Sequence, residues 1–370
     1  MRITFVLPFA SLNGGVRAVA MHARLLAERG HHVSIVSTPK KVPALRRRVS
    51  DFVKGRGWAS AQPGGPSHVD GLPGVTHTVI DRYRPVTDAD VPDADVVVAT
   101  WWETAEWVWG LSARKGRKVY FVQHHEVVFD NQPTDRVEAT YRLEMPKVCV
   151  ARWLADLMRD QYGDATASVV PCGIDHGLFQ APPRGKQRRP TVGVMYSPAH
   201  FKGCDVALRA FALAARNIPG LSLQSFGEHA PTDVLPLPVG AEFRLKPPPK
   251  DIVRIYASCD AWLFASRSEG FGLPVLEAMA CRTPVIGTPA GVAPEAIGAD
   301  GSAGALVKPD DPGDMAIAIE RLCRLKDPEW RTMSDNAHAV AARYTWEASA
   351  AMMESILLDV AGLSVTRRAG

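Results

Sequence analysis

Short apolar runs alternate along the chain with segments whose apolar residues recur at helical spacing. Residues 3–7 form one such run, and residues 16–29 carry apolar side chains such as Val19, Ala23 and Leu26 on one helical face before Gly30. Runs of this length separated by helices are typical of strands in a parallel sheet, which helices cover on both faces. In the first half of the chain the pattern predicts strands at 3–7, 32–37, 75–80, 95–100 and 118–123.

The same alternation restarts after a segment rich in proline and arginine at 182–190, which predicts a linker. The second half has strand-like runs at 191–196, 222–226, 261–266 and 284–288 and helical segments at 205–216 and 250–258. We therefore expect an α/β fold with two Rossmann-like, doubly wound domains, whose ligands bind at the carboxyl ends of the strands. The predicted domains are residues 1–180 and 181–345, and a last helix within about 346–370 is expected to pack back on the first domain.

Composition narrows the class of protein without naming a reaction. The 370 residues are 46% hydrophobic and 22% charged, which is typical of a globular chain with two cores. The net charge of +4 is too small to indicate nucleic acid binding, so we expect no nucleic acid partner, whereas an anionic substrate fits it. No apolar run approaches the ~20 residues of a membrane span, and the six scattered cysteines indicate reduced thiols in a cytoplasmic protein.

Basic residues cluster between Lys40 and Lys54, with Arg46, Arg47 and Arg48 among them. A solvated helix face is the simpler interpretation of this cluster. A patch for an anionic acceptor or for the inner membrane surface is the alternative, which would make the protein a peripheral membrane partner.

The segment at residues 268–280 is the most informative in the chain. Glu269 and Glu277 flank a Gly-Phe-Gly turn, and Pro274, favoured at the first position of a helix, places a helix start near Leu273. The amides of residues 270–273 are then expected to face an anion at the positive end of the helix dipole, with Glu277 in the first turn. Carboxylates beside an anion bind hydroxyl groups, so the segment predicts a nucleotide-sugar site rather than two ordinary surface charges.

A second polar cluster follows the predicted strand at 118–123. It consists of His124, His125 and Glu126, at the strand end where ligands bind in parallel sheets. A lone histidine is more often structural, but three polar residues together favour a functional site. The cluster lacks a third well-spaced metal ligand, so we do not predict a metal there.

Trp101 and Trp102 follow the predicted strand at 95–100. They are candidates for stacking on a sugar of the acceptor, and core packing is the equal alternative. Acidic pairs at 88–90 and 93–95 precede the same strand and resemble a metal-binding Asp-x-Asp motif. We interpret them as caps at the strand entry, and no metal site is predicted.

The stretch from Ala257 to Leu306 resembles the donor-site segment of family 4 of the retaining GT-B glycosyltransferases, which carries a glutamate, seven residues and a second glutamate. The resemblance is strong in the C-terminal half and looser in the N-terminal half. It implies the GT-B fold, with two Rossmann-like domains facing a central cleft and residues 1–180 on the acceptor side. In that family the second glutamate, here Glu277, holds the ribose. The first, here Glu269, contacts donor sugar and phosphate together with the amides of Gly270, Phe271, Gly272 and Leu273.

Other positions carry over from the resemblance one by one. Lys202 matches the lysine that neutralises the donor diphosphate, but Ser197 stands where the family usually has an arginine, which makes Arg17 a candidate substitute. Gly15 matches a glycine loop near the donor phosphate, and Gly227 is assigned to the donor site as well. His124 matches a histidine near the reacting sugar, with His125 as its competitor. The resemblance thus implies His124, Lys202 and Glu269 as catalytic residues, and His125, Glu126, Trp101 and Trp102 as acceptor-side candidates.

The implied reaction transfers a sugar, with retention at the anomeric carbon, from a UDP-, GDP- or dTDP-sugar to an acceptor hydroxyl. We expect no metal and no cofactor besides this donor. The acceptor is expected to be a glycan, a lipid-linked molecule or a small molecule in the biosynthesis of a polysaccharide, glycolipid or natural product. Two alternatives stay open: a catalytically silent GT-B protein that binds a nucleotide-sugar, and another GT-B activity such as an epimerase or a phosphorylase.

Overall fold

The computed structural model describes residues 1–41 and 65–363 of the chain. Most of the basic cluster, including Arg46, Arg47, Arg48 and Lys54, lies outside the described residues, so its interpretation stays a prediction. Within the described residues, no helix is long and apolar enough to cross a membrane.

The chain divides into two compact units. Unit 1 comprises Met1–Pro171 with Trp346–Gly370, and unit 2 comprises Cys172–Thr345. The division falls after Pro171, earlier in the chain than the predicted boundary at residue 180. Each unit has its own parallel sheet and its own apolar core, as expected for a chain too long for a single core.

The described part of unit 1 contains seven parallel strands in one sheet. The strands are β1 (Arg2–Leu7), β2 (His32–Ser37), β3 (Val75–Val79), β4 (Val96–Ala99), β5 (Arg117–Val122), β6 (Lys147–Cys149) and β7 (Ser168–Val169). Their order across the sheet is β3-β2-β1-β4-β5-β6-β7. The helices between them are α1 (Gly14–Glu28), α2 (Trp102–Trp109), α3 (Thr134–Tyr141) and α4 (Arg152–Tyr162).

Unit 2 repeats this architecture with six parallel strands. They are β8 (Thr191–Tyr196), β9 (Ser222–Gly227), β10 (Glu242–Leu245), β11 (Ala261–Phe264), β12 (Val285–Gly287) and β13 (Gly304–Leu306), in the order β10-β9-β8-β11-β12-β13. Its helices are α5 (Cys204–Ala214), α6 (Pro249–Ala257), α7 (Leu273–Ala280), α8 (Ala293–Ile297), α9 (Pro312–Arg324) and α10 (Asp327–Ala341). The last helix of the chain, α11 (Trp346–Ala361), belongs to unit 1.

The predicted doubly wound α/β class is confirmed in both units. Strand order reverses between β1 and β4 in unit 1 and between β8 and β11 in unit 2. At such a switch point the connections leave to opposite sides, which opens a crevice at the carboxyl ends of the two strands. In each unit, candidate site residues should therefore be sought just after these strands.

The strands with the longest apolar runs were predicted, and several short strands and one exposed edge strand were missed. All four residues of β4 and all four of β11 are buried, and both strands follow from their apolar runs. The edge strand β10 and the short strands β6, β7 and β13 were not predicted. Strand β10 carries Glu242 and Arg244 and is largely exposed, so it has no continuous apolar run to mark it.

The segment predicted as a linker, residues 182–190, is bound to unit 2. The backbone N–H of Gln187 donates to Asp260 Oδ1 at 2.8 Å, and Arg184 donates to Thr283 Oγ1 at 3.0 Å. The Arg184 guanidinium also lies 4.5 Å from the centroid of the Trp330 ring. Residues 182–190 therefore lie within unit 2, which begins at Cys172, and the Arg184 side chain holds this segment in place.

Helix α11 packs on α1 within unit 1, as predicted for the last helix. His22 of α1 is fully buried, and its ring makes edge contacts with Phe121 and Trp346 at centroid distances of 5.5 and 5.7 Å. At the other end of the contact, Glu354 of α11 accepts from His31 at 2.6 Å and forms an ion pair with Arg29. A buried, mostly apolar contact with a charged end thus ties the chain's last helix to its first.

We expect the stability of unit 1 to depend on the protonation of His22. Burial lowers the pKa of this histidine from 6.5 to about 4. Between these two pH values the ring is mostly neutral in the folded protein and mostly protonated in the unfolded protein. The stability contributed by a neutral His22 is therefore present above pH 6.5 and is lost as the pH falls. Between pH 7 and pH 5, the free energy of unfolding of wild type should fall by about 2 kcal/mol relative to that of a His22→Gln variant.

Denaturant unfolding of both proteins at the two pH values measures this difference. The His31–Glu354 pair is common to both proteins and cancels in the comparison. A stability gap that does not change with pH would contradict the role assigned to His22.

Candidate functional site

Two loops meet at the switch point of unit 2. The first follows β8 and ends at Gly203, whose φ is +60°. A Cβ atom at Gly203 would lie 1.9 Å from the carbonyl oxygen of Ala265, so only glycine allows this approach. The N–H of Arg267 completes the contact by donating to the carbonyl of Phe201 at 2.8 Å. The loop after β8 is therefore laid directly against the loop after β11.

Lys202 and Glu269 form an ion pair across these two loops. Lys202 Nζ lies 2.8 Å from Glu269 Oε1 and 3.0 Å from Oε2, and Ser266 Oγ donates to Oε1 at 2.8 Å. Glu269 is 6% exposed, whereas the Lys202 side chain is 23% exposed. A carboxylate this deeply buried needs its cation, so the pair both holds the loops together and keeps one positive charge at the strand ends.

The Gly-Phe-Gly turn leads from Glu269 into α7, as predicted. Gly272 has a φ of +89° and caps the helix, which begins at Leu273. A Cβ atom at Gly291 would lie 2.3 Å from the carbonyl of Phe271, which accepts a hydrogen bond from Val292 N at 2.7 Å. The Phe271 side chain is buried, so the turn offers its backbone, at a helix end where amides lack intrahelical partners.

The prediction that Glu277 lies in the first turn of this helix is wrong. Because α7 begins at Leu273, with Pro274 in its second position, the first turn contains no acidic residue. Glu277 lies one turn further on, is 8% exposed, and accepts a hydrogen bond from the Tyr256 hydroxyl at 3.2 Å. The carboxylate is thus held by the protein behind the helix start, and no sequence pattern indicates Tyr256 as its partner.

Ser197 and Gly227 lie at the carboxyl ends of neighbouring strands. Ser197 Oγ accepts from the N–H of Ala199 at 3.2 Å, so this side chain stabilises the turn after β8. A Cβ atom at Gly227 would lie 2.4 Å from the carbonyl of Tyr196, so the glycine permits close approach of β9 to β8. Both positions border the loop of Lys202, and both have a structural reason for their residue type.

In unit 1, the predicted glycine loop lies at the end of β1. Asn13 caps α1 by accepting from the N–H of Val16 at 2.8 Å, and the N–H of Arg17 donates to the Asn13 carbonyl. A Cβ atom at Gly15 would lie 3.4 Å from the Gln123 side chain, whose amide donates to the Thr100 carbonyl at 3.2 Å. Gly15 and Arg17 are thus placed beside the carboxyl ends of the central strands of unit 1.

His124 and His125 turn in different directions. The His124 ring lies 4.8 Å from that of Phe129, which in turn contacts Trp101 at 5.6 Å. His125 instead shares a hydrogen bond of 2.8 Å with the Tyr162 hydroxyl, and burial lowers the pKa of its ring. Of the two, His124 is on the side of the tryptophans.

Glu126, an acceptor-side candidate, is fully buried, and its role towards an acceptor stays a prediction. Its Oε2 accepts from the N–H of Trp102 at 2.7 Å and from the Tyr120 hydroxyl at 3.2 Å, while its own N–H donates to the Tyr141 hydroxyl. Burial raises the pKa of this carboxyl well above 4.5, and Oε1 has no hydrogen-bond partner. The Glu126 side chain in this position fixes the start of α2 against the end of β5.

The two tryptophans after β4 have different environments. Trp102 is 3% exposed and its indole N–H donates to Gln132 Oε1 at 2.9 Å, so it packs as a core residue. Trp101 is only half-buried and lines a cavity in unit 1. That cavity also contains Tyr83, Glu103 and Arg136, which sequence reasoning missed because they come from separate loops and helices.

The acidic pairs before β4 have local partners, in agreement with their interpretation as structural residues. Asp95 accepts from the N–H of Arg2 at 2.6 Å, and Asp88 accepts from the N–H of Ser112 at 2.9 Å. Asp90 pairs with Arg84 at 2.6 Å. In residues 1–41 and 65–363, no group of three or more histidine, cysteine, aspartate or glutamate side chains is placed to hold a metal ion. Independence from metal stays a prediction.

Replacing Glu126 by glutamine or by alanine should distinguish the effect of its ionisation on stability from the effect of its hydrogen bonds. Because its folded pKa is raised, the stability it contributes is fully present below pH 4.5 and is lost as the pH rises. Above that pH, the free energy of unfolding of wild type should therefore fall by about 1.4 kcal/mol per pH unit relative to that of Glu126→Gln, until the carboxyl titrates in the folded protein. Glu126→Ala should cost about 1–3 kcal/mol, since the Trp102 N–H loses its acceptor.

Denaturation midpoints of the three proteins between pH 4 and pH 8 check both statements. A Gln variant that is less stable than wild type at pH 8, by the same margin as at pH 4, would show that Glu126 is charged in the folded protein.

Comparisons with known proteins agree with this architecture. A model described as "Glycosyltransferase Family 4" matches residues 12–178, and one described as "Glycosyl transferases group 1" matches residues 189–324. An MMP alpha-(1->4)-mannosyltransferase of Mycolicibacterium hassiacum is 30% identical over 196 residues, or 51% of this chain and 47% of that protein. A D-inositol 3-phosphate glycosyltransferase of Streptosporangium roseum is 29% identical over 71% of this chain and 68% of its own length. The match to the mannosyltransferase thus spans about half the length of that relative.

Solved structures extend the likeness to the whole fold. A sucrose-phosphate synthase from Thermosynechococcus elongatus has a TM-score of 0.70 at 18% identity, covering 98% of this chain and 100% of its own. The Anabaena protein HepE, in complex with UDP and glucose, has a TM-score of 0.69 at 16% identity, covering 97% and 100%. At these identities the likeness shows the fold alone. The two family models together match most of the chain in sequence, so each unit is similar to a glycosyltransferase family.

Proposed function

We propose that the protein is a retaining, metal-independent glycosyltransferase that moves a sugar from a nucleoside diphosphate sugar to an acceptor hydroxyl. The observation that carries this proposal is the Lys202–Glu269 pair, which lies at the switch point of unit 2 beside the start of α7. A cation and the amide end of a helix together suit a diphosphate, and carboxylates nearby suit the hydroxyls of its sugars. The glycosyltransferase family models that match the two units support the same function.

Donor binding is assigned to unit 2. Lys202 and the amides of residues 270–273 hold the diphosphate, and Glu277 accepts hydrogen bonds from the ribose hydroxyls. Because the Lys202 charge is balanced by Glu269 in the structure, a diphosphate adds its own negative charge to a site that is otherwise neutral. Arg17 and the turn at Gly15 in unit 1 are proposed as the further donor contacts that compensate for Ser197.

Catalysis is then mainly electrostatic. Negative charge grows on the leaving diphosphate in the transition state, and Lys202 and the helix amides stabilise it. Glu269 is a poor nucleophile here because hydrogen bonds from Lys202 and Ser266 occupy its oxygens. We therefore propose that the acceptor hydroxyl attacks from the face that the diphosphate leaves, with retention, and that its proton passes to an oxygen of the leaving diphosphate. We place His124 rather than His125 beside the reacting sugar.

The named relatives and structures suggest which donors to test first. HepE was solved with UDP-glucose and with UDP and glucose, so UDP-sugars are the first choice, with GDP- and dTDP-sugars next. The relatives include a mannosyltransferase and D-inositol 3-phosphate glycosyltransferases. We propose a cytoplasmic protein, or one at the inner membrane surface, whose acceptor belongs to polysaccharide, glycolipid or natural-product biosynthesis.

A catalytically silent nucleotide-sugar-binding protein is the second candidate, and the serine at position 197 favours it. The purified chain incubated with UDP-glucose, UDP-galactose and GDP-mannose decides between the two, since a pure binder releases no nucleoside diphosphate. NMR of a transferred product then shows whether the anomeric configuration of the donor is retained.

Removing the Lys202 charge should abolish donor binding and also destabilise unit 2. In Lys202→Met the buried Glu269 carboxylate loses its cation, which should cost up to about 3 kcal/mol. The double variant Lys202→Met/Glu269→Gln removes both charges and should recover most of that stability without recovering donor binding or turnover. Thermal unfolding with and without UDP measures both effects.

Lys250→Met, at an exposed lysine of unit 2, is the matched control and should behave as wild type. Wild-type turnover in the double variant would refute the assignment of Lys202 to the diphosphate.

Glu277 should act through the ribose. In Glu277→Ala the Kd of the preferred nucleoside diphosphate, taken from a UDP and GDP panel, should rise at least about tenfold, as expected for loss of a charged hydrogen-bond acceptor. Wild type should also bind that ligand more tightly than its 2′-deoxy analogue, and the variant should not. Calorimetric titration of both ligands into both proteins gives the four constants, and equal discrimination by wild type and variant would exclude the ribose role.

A further inference from the structure

The Arg267 side chain connects segments at the carboxyl ends of the strands of unit 2. It lies in the loop after β11, two residues before Glu269. Its Nη1 and Nη2 atoms donate to the two carboxylate oxygens of Asp205, in the first turn of α5, at 2.9 Å each. Its Nε donates to Oδ1 of Asp310, which follows β13, at 2.6 Å. Because a two-pronged guanidinium–carboxylate pair fixes orientation as well as distance, Arg267 holds these segments in one arrangement.

Arg267 also holds the short turn that carries Lys202. Its Nη1 donates to the carbonyl of His200 at 2.6 Å, and its backbone N–H donates to the carbonyl of Phe201 at 2.8 Å. The next residue of the turn, Lys202, is bound through its side chain to Glu269. Three successive residues of the turn are therefore fixed by one short segment of the neighbouring loop.

The side-chain contacts of Arg267 differ from its backbone contact in what they require. Any residue except proline can donate its N–H to Phe201 from this position, but only arginine has enough N–H groups to reach a carbonyl and two carboxylates at once. Its side chain makes four hydrogen bonds with these partners, out of the five N–H groups that a guanidinium carries. The guanidinium is therefore directed at the protein rather than at a ligand.

Stability alone is a weak reason for these contacts. The side chains of Asp205 and Asp310 are 42% and 58% exposed, and ion pairs with exposed partners contribute little to the free energy of folding. What the contacts do supply is a fixed position for the turn. The Lys202 ammonium must lie within hydrogen-bond distance of a diphosphate oxygen to bind it, so a small rotation of the turn is enough to weaken binding.

We propose that Arg267 is a positioning residue of the donor site. Its contacts with Asp205, Asp310 and the His200 carbonyl hold the Lys202 ammonium where it meets the diphosphate of the donor. Arg267 acts through Lys202 and does not itself touch the donor. The inference rests on the proposed function, because it takes Lys202 as the residue that binds the diphosphate.

The test compares binding of a nucleoside diphosphate with binding of the nucleoside alone. UDP and GDP are titrated into the full chain by calorimetry, and the better ligand is compared with uridine or guanosine of the same base, titrated by NMR. In Arg267→Gln the Kd of the diphosphate should rise about tenfold. The Kd of the nucleoside should not change, because it lacks the groups that Lys202 binds. General damage to unit 2 would weaken both ligands alike.

Two milder variants follow the same contacts one at a time. Arg267→Lys keeps the positive charge but cannot reach the carbonyl and both carboxylates, so its Kd for the diphosphate should lie between those of wild type and Arg267→Gln. Asp205→Asn leaves Arg267 in place and weakens its two-pronged pair, which should raise the same Kd about threefold. These two variants decide the question if Arg267→Gln does not fold.

Arg282 offers a matched control just beyond the other end of α7. Its side chain is 14% exposed, against 18% for Arg267, and it likewise donates to a backbone carbonyl, that of Ala181, and pairs with a carboxylate, that of Asp335. Arg282→Gln therefore removes a similar set of contacts from unit 2 without touching the turn of Lys202. It should leave the Kd of both ligands unchanged.

Hydrogen exchange, measured by mass spectrometry, reports on the turn itself without any ligand. The N–H groups of Lys202 and Gly203 donate to carbonyls within the turn at 3.0 and 3.1 Å. Peptides that cover the turn should exchange at least about threefold faster in Arg267→Gln than in wild type, since a turn that has lost its anchor opens more often. In Arg282→Gln they should exchange at the wild-type rate.

The outcomes separate this proposal from the proposed function. An unchanged Kd for the diphosphate in Arg267→Gln, equal weakening of both ligands, or an unchanged exchange rate in the turn would each overturn the positioning role. A wild-type chain that binds neither UDP nor GDP would instead refute the donor site, and the positioning role with it.

Discussion

The ion pair between Lys202 and Glu269 is the contact on which the candidate donor site depends. It joins the loops that follow the two strands at the switch point of unit 2, and it can form because Gly203 lets one loop lie directly on the Ala265 carbonyl of the other. Without the lysine, a carboxylate that is 6% exposed would stay buried and uncompensated. The start of α7 follows from the same loop, so the cation and the helix end are positioned together.

In unit 1, a buried acid rather than an ion pair stabilises the loops near the switch point of the sheet. There the buried carboxyl group of Glu126 accepts hydrogen bonds from the backbone N–H of Trp102, the first residue of α2, and from the Tyr120 hydroxyl. The Tyr141 hydroxyl accepts from the backbone N–H of Glu126 and donates to the carbonyl of His124. Burial raises the pKa of this carboxyl well above 4.5, which favours its neutral form, and no cation is paired with it among the described residues. The result is a rigid strand end that sets both the direction of His124 and the wall of the cavity.

The sequence was most reliable where one local rule decides the structure. Apolar runs predicted the longer buried strands, such as β4 and β11, and the glycine turn with Pro274 predicted the start of α7 to within one residue. It was least reliable where a side chain's surroundings come from distant segments. Glu126 and Glu277 both follow strand or turn signals that resemble open sites, yet tyrosines far away in sequence, Tyr141 and Tyr256, enclose them.

The sequence by itself determined the class of this protein: two parallel α/β units, a donor-type turn between two glutamates, and similarity to glycosyltransferase families. Those features depend on periodicity, glycine positions and short spacings, which are local properties of the chain. Only the tertiary structure decided that Lys202 meets Glu269, that Glu126 is buried, and that Tyr83, Glu103 and Trp101 surround one cavity. Such contacts join segments up to 67 residues apart, and burial and charge at those distances arise only when the sheets assemble.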